Sequence, residues 1–162
     1  MNWFECKVIY EKPVENSAAM KKVPELYLVD ALSFTEAEAR IIEEMTPFIT
    51  GSFEVSDIKR AKYNELFFSD EEAADRWFKC KVYFVILDEK TGKEKKTANN
   101  FLVQASDLRD AVKKLDEGMK GSMMDYVIAS IAETAIMDVY PFKAPGEKND
   151  LPEFPGAAEQ NA

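Results

Sequence analysis

The feature that most constrains this chain is a phrase it uses twice. Trp77-Phe78-Lys79-Cys80-Lys81-Val82 restates Trp3-Phe4-Glu5-Cys6-Lys7-Val8, 74 positions later. The echo continues: Tyr27-Leu28-Val29-Asp30-Ala31 aligns with Phe101-Leu102-Val103-Gln104-Ala105, then Ala37 with Ala111, Glu43 with Glu117 and Met45 with Met119. Between positions 3 and 45, 14 residues are identical at that one offset. The chain reads as a tandem duplication. A copy of about 70 residues buries too little surface to be comfortably stable alone, so the two copies are expected to share one core.

Each copy carries the same local signals. Alternation puts Phe4, Cys6, Val8 and Tyr10 on one face of a strand over 2–12, and a second strand follows around 24–32. Ser33-Phe34-Thr35-Glu36 is a capping box, and Phe34, Ala37, Ile41, Ile42 and Met45 recur at helical spacing behind it. Pro47 and Gly51 end that helix. Phe53 to Phe68 then reads as one bent strand or two short ones, with alternation losing phase near Asp57-Ile58 as at a bulge. Ser69-Asp70-Glu71-Glu72 is read as the cap of a single helical turn leading into the second copy.

The second copy has the strand stripe Phe78-Cys80-Val82-Phe84-Ile86, a hairpin turn through Lys90-Thr91-Gly92-Lys93 and a strand over Phe101–Ala105. A helix opens at Asp107 with Asp110 at its third position. A last strand region, Tyr126 to Tyr140, matches the first copy best at an offset of 73, with Phe53 aligned to Tyr126 and Glu65-Leu66-Phe67 to Asp138-Val139-Tyr140.

The expected fold is α+β: tandem ββαβ repeats with pseudo-two-fold symmetry, their antiparallel sheet or sheets each covered by one amphipathic helix. Residues 1–142 form one globular domain in this reading, with repeats at 2–68 and 76–142. Residues 143–162, which hold Pro145, Pro152 and Pro155, read as a disordered tail.

Composition narrows the function classes. The chain has no histidine and two cysteines, so zinc coordination lacks ligands, and Ser-His-Asp and Cys-His catalysis are excluded. No P-loop, GxGxxG, GxSxG, HExxH or CxxC is present. An enzyme remains possible only through carboxylate, Lys, Tyr or Ser chemistry, and nothing in the sequence points to such a site; no cofactor or metal is expected, and Cys6 and Cys80 read as small buried thiols. The acidic groups Glu36, Glu38, Glu43, Glu44 and Asp70, Glu71, Glu72, Asp75 read as caps and solvated helix faces. A run of 18 apolar residues is absent and no signal peptide is seen, so a cytoplasmic location without membrane contact is expected. Net charge is -9 with a pI near 4.7, unfavourable for broad duplex binding.

One face carries a sharper reading. Opposite the Phe78-Cys80-Val82 stripe, alternation places Trp77, Lys79, Lys81 and Tyr83; the matching set in the first copy is Trp3, Glu5, Lys7 and Ile9. Tryptophan beside lysine on an open sheet is what a single nucleic-acid strand requires, since bases stack on the ring for about 1–3 kcal/mol each and ammonium meets phosphate. The candidate binding residues are Trp3, Lys7, Trp77, Lys79, Lys81 and Tyr83. The competing reading packs both tryptophans under the other repeat, as large aromatics usually are. A second candidate is Asn149-Asp150-Leu151-Pro152-Glu153-Phe154, whose Asp150, Leu151, Pro152 and Phe154 form a short acidic-apolar motif for a protein partner. It is similar to the acidic, Pro-Phe-ended tips of bacterial single-strand-binding proteins, although it does not sit at the terminus. The alternative function is a protein-interaction or inhibitor module using an acidic surface and this tail.

The run Tyr27-Leu28-Val29-Asp30-Ala31-Leu32-Ser33-Phe34-Thr35-Glu36-Ala37-Glu38-Ala39-Arg40, preceded by the Trp-Phe-x-Cys-Lys-Val strand, resembles an uncharacterised family over roughly residues 2–142. The family comprises short duplicated proteins of Bacteroides-group bacteria and their phages, catalogued as a domain of unknown function. The resemblance implies a cytoplasmic, phage- or mobile-element-related protein and transfers no site residues.

Overall fold

The computed structural model describes residues 2–142. Its first hairpin pairs β1 (Trp3–Pro13) with β2 (Met20–Asp30) along their whole length, Trp3 opposite Asp30 and Pro13 opposite Met20. Asn16, at φ 61, supplies the left-handed residue of the turn. α1 (Phe34–Met45) follows, opened by Ser33, whose hydroxyl accepts from the Glu36 N–H at 3.1 Å. The Glu36 carboxylate reaches back to the N–H of Leu32, at 3.3 Å, rather than to that of Ser33.

β3 (Phe53–Ala61) runs antiparallel to β1 on the side away from β2, and Ser56 is the bulged residue between Val55 and Asp57. The loss of phase in the sequence therefore falls beside the bulge. β4 (Glu65–Phe67) then leaves this sheet.

The second half follows the same course. β5 (Arg76–Leu87) and β6 (Glu94–Ala105) form a hairpin closed through Gly92 at φ 68. α2 (Leu108–Met119) is capped by Asp107, which accepts from the Asp110 N–H at 2.8 Å. β7 (Asp125–Glu133) pairs antiparallel with β5, with a bulge at Ala129, and β8 (Ile136–Tyr140) ends the described chain.

The result is a mixed α/β molecule with two four-stranded sheets and two helices, the sheets ordered β3-β1-β2-β8 and β4-β6-β5-β7. They are not purely antiparallel. β8 runs parallel to β2 and β4 parallel to β6, because each half sends its last strand into the other half's sheet. Phe53 to Phe68 is the second of the two expected alternatives, two strands broken at 62–64, and the last strand region of the second copy breaks in the same way at 134–135, where the chain crosses over. The expected helical turn after Ser69 is instead a tight turn, with the Ser69 hydroxyl accepting from Glu71 N–H and Glu71 C=O accepting from Ala74 N–H.

Three apolar clusters fill the interior. α1 packs Ala37, Ile41 and Met45 on Phe4, Cys6, Val8 and Val29; α2 packs Ala111, Leu115 and Met119 on Phe78, Cys80, Val82 and Val103. The exchanged strands contribute to both: Tyr140 stacks on Tyr27 at 6.1 Å and Phe67 on Phe101 at 5.6 Å. The third cluster joins the sheets on their helix-free faces, through Trp3, Leu28, Ile136 and Val139 from one and Trp77 and Leu102 from the other.

A cation on each helix clamps the chain where it leaves the exchanged strand. Arg40 donates to the carbonyls of Asp30 and Pro141, and its guanidinium sits over the Phe142 ring. Lys114 donates to the Ser69 hydroxyl at 2.9 Å and pairs with Glu71 and Asp110. Those pairs outweigh the effect of burial and hold its ammonium above the ordinary lysine range.

Candidate nucleic-acid interface

The six strand-face candidates separate at once. Trp3 is 4% exposed and Trp77 2%, both inside the cluster that joins the sheets. Phe68 meets the Trp77 ring edge-on at 5.4 Å, and the Trp77 carbonyl accepts from the Thr134 N–H and hydroxyl. Neither ring presents an open face to a base, although Trp3 also lines the cleft at the crossover from β3 to β4. Both tryptophans lie opposite the Phe-Cys-Val stripe, as the alternation requires, but that face is covered at their end by the other sheet.

Lys79 and Lys81 are exposed, and Tyr83 is half-buried beside them, with the Lys81 ammonium 5.4 Å from the centre of its ring. Their cross-strand neighbours on the same face are Ala132 and Ser130 from β7, and Leu102, Asn100 and Ala98 from β6. No carboxylate stands directly opposite either lysine, and among the described residues neither makes an ion pair. The first sheet differs. Lys7 is half-buried and faces Asp57 across β3, while Glu5 stands opposite Lys59, so charge alternates in sign there. The structure thus brings Lys79, Lys81 and Tyr83 together on one surface, and leaves Lys7 on another sheet among acids.

Asn100 and Ala98 also border a cleft of about 500 Å³ at the crossover from β3 to β4, whose walls include Arg60, Lys62, Tyr63 and Asn64. The crossover is tied to β6 by the Asn64 N–H donating to the Asn100 carbonyl at 2.7 Å. No carboxylate lines the cleft. The Arg60 guanidinium lies 5.5 Å from the ring centres of both Phe4 and Phe34, and neither Arg60 nor Lys62 makes an ion pair among the described residues. The side chains of Asn64 and Asn100 make no hydrogen bond among the described residues. Burial, and secondarily the charge of Glu5, raises the Tyr63 pKa, so its hydroxyl is a neutral donor.

These cleft residues escaped the sequence reading because none belongs to a periodic stripe. A signal for them existed. At the offset of 73, Lys62-Tyr63-Asn64 aligns with Ala135-Ile136-Met137, and at 74 Asn99-Asn100 aligns with Glu25-Leu26. The two copies differ in polarity where the cleft forms, at Lys62/Ala135, Tyr63/Ile136, Asn64/Met137 and Asn100/Leu26.

Other chemical groups are satisfied internally. Glu25 accepts from the Tyr10 and Tyr27 hydroxyls at 2.7 and 2.6 Å and from Lys12 at 2.8 Å. Burial pushes its carboxyl up, but these three donors together outweigh that and hold it below the ordinary glutamate value. The free thiols of Cys6 and Cys80 are buried and pushed up to about 12, too high to act as nucleophiles. Among the described residues no cluster of three or more acidic, Cys or His side chains could hold a metal, and no helix is long and apolar enough to cross a membrane. The tail candidates Asp150, Leu151, Pro152 and Phe154 lie outside the described residues.

A family model described as Domain of unknown function (DUF4494) matches residues 2–142, the whole described fold. The chain belongs to the DUF4494 family. Both sheets, both helices, the basic strand face and the cleft thus fall within the DUF4494 match. A search of curated proteins gives no match.

Proposed function

We propose that this protein binds single-stranded nucleic acid without catalysis, through the helix-free face of the second sheet. The observation that carries the reading is the row Lys79-Lys81-Tyr83: two exposed lysines without ion-pair partners and an aromatic ring on one open strand face, in a chain of net charge -9. Lysines spaced by two along a strand lie about 7 Å apart, close to the phosphate spacing of an extended strand. Tyr83, rather than either tryptophan, is the stacking partner, with Asn100 and Ser130 beside the lysines as hydrogen-bonding groups.

The two halves descend from a duplication in this reading. The pseudo-two-fold arrangement it implies is supported by the matching strand courses and by the paired clamps at Arg40 and Lys114. One copy then kept alternating charge on its sheet face while the other became basic. A phage- or mobile-element-related role in the cytoplasm fits a small strand-binding protein of this kind.

Fluorescence anisotropy of labelled oligo-dT at low salt tests the proposal. Wild type is expected to bind, and the double substitution Lys79→Glu, Lys81→Glu to lose most of that binding. Equal binding by the two proteins, or none by wild type, would sink it.

A further inference from the structure

We propose that the crossover cleft is a pocket for one nucleotide, its phosphate held by Lys62 and its base edge read by Asn64 and Asn100. The pocket is large enough: about 500 Å³ lies within the range of small-ligand sites. Its lining is suited to an anion, with Arg60 and Lys62 as cations and no carboxylate among the lining residues, on a molecule whose overall charge repels anions. A bare phosphate would use the ammonium alone. The asparagine amides each offer both a donor and an acceptor, the combination that matches the edge of a base, and the neutral Tyr63 hydroxyl adds a further donor.

The position adds to the case. Asn100 stands opposite Lys81, so a strand lying along Lys79 and Lys81 passes the mouth of the cleft. A nucleotide turned out of that strand would enter between β6 and the crossover. The inference rests on the single-strand reading for its ligand's source, while the pocket itself stands on the cleft's own residues. At the corresponding place in the other half, Ala135, Ile136 and Leu26 leave no such set of polar groups.

The test titrates the full chain, labelled with ¹⁵N, with adenosine monophosphate, with ribose 5-phosphate and with oligo-dA. The side-chain amide signals of Asn64 and Asn100 are expected to shift with adenosine monophosphate, and to shift less with ribose 5-phosphate. Lys62→Gln should weaken adenosine monophosphate binding about tenfold, the scale of one charge-assisted hydrogen bond. The pair Lys79→Glu, Lys81→Glu should weaken oligonucleotide binding and leave the affinity for adenosine monophosphate within about twofold. Shifts with oligo-dA alone, lost in Lys62→Gln, would assign the pocket to a nucleotide within a strand. Shifts with the mononucleotide but no oligonucleotide binding would keep the pocket and overturn the single-strand reading. The pocket is refuted if neither ligand moves the two amides, or if Lys62→Gln and Asn64→Ala both bind as wild type; both positions are exposed at the cleft rim, so folding is not at stake.

Discussion

Trp77 shows how one side chain divides structure from function. It sits two residues before Lys79 on the same strand face, yet the ring is enclosed by the other sheet while the lysine reaches water. Removing a buried indole costs lost transfer energy plus the cavity left behind, and Trp77→Ala is expected to destabilise the fold by about 3–5 kcal/mol. Chemical denaturation measures that. The folded fraction of the variant should bind oligo-dT as wild type does, whereas a binding loss beyond the loss of folded protein would restore the ring to the interface. Alternation in the sequence shows which residues share a face with Trp77, because the period of a strand is two. It carries no information on where a second sheet begins to cover that face, since the covering residues, Ile136 and Val139, lie about 60 positions away.

At the scale of elements, the helices and hairpins were legible and the exchanged strands were not. Ser33 and Asp107 announce their helices by side-chain chemistry that acts within three residues, and the structure has both caps. The break at Lys62-Tyr63-Asn64 lacks proline and glycine, so nothing local marks the departure of β4 to the other sheet. What fits β4 to its new place is distant: an ideal Cβ on Gly118 of α2 would stand 2.8 Å from the Phe67 ring. That glycine interrupts a helix at a propensity cost of about 1 kcal/mol, and the ring occupies the space it leaves. Gly118→Ala therefore gains helix propensity but crowds Phe67. Thermal unfolding should show net destabilisation, of order 1–3 kcal/mol for overpacking less the propensity gain. An increase in stability would mean that Phe67 can move aside at little cost.

Over the whole molecule, the exchange of β4 and β8 makes the halves depend on each other. A fragment of residues 2–75 lacks β8 and with it Tyr140 on its core, and it exposes Trp3 and Leu28. Circular dichroism is expected to show it unfolded alone, and folded on mixing with residues 76–142; independent folding of either fragment would contradict the shared architecture. The cleft is likewise a property of the assembled molecule, since it is built by a crossover from one half against a strand of the other. If Lys79 and Lys81 meet phosphates of a single strand, the affinity for oligo-dT must depend on salt. Each phosphate contact adds about 0.7 to the slope of log K against log salt for single strands. Wild-type log K is expected to fall linearly with log salt, with a slope shallower by about 1.4 when both lysines are replaced by glutamine. An affinity indifferent to salt, or the same slope in both proteins, would contradict it.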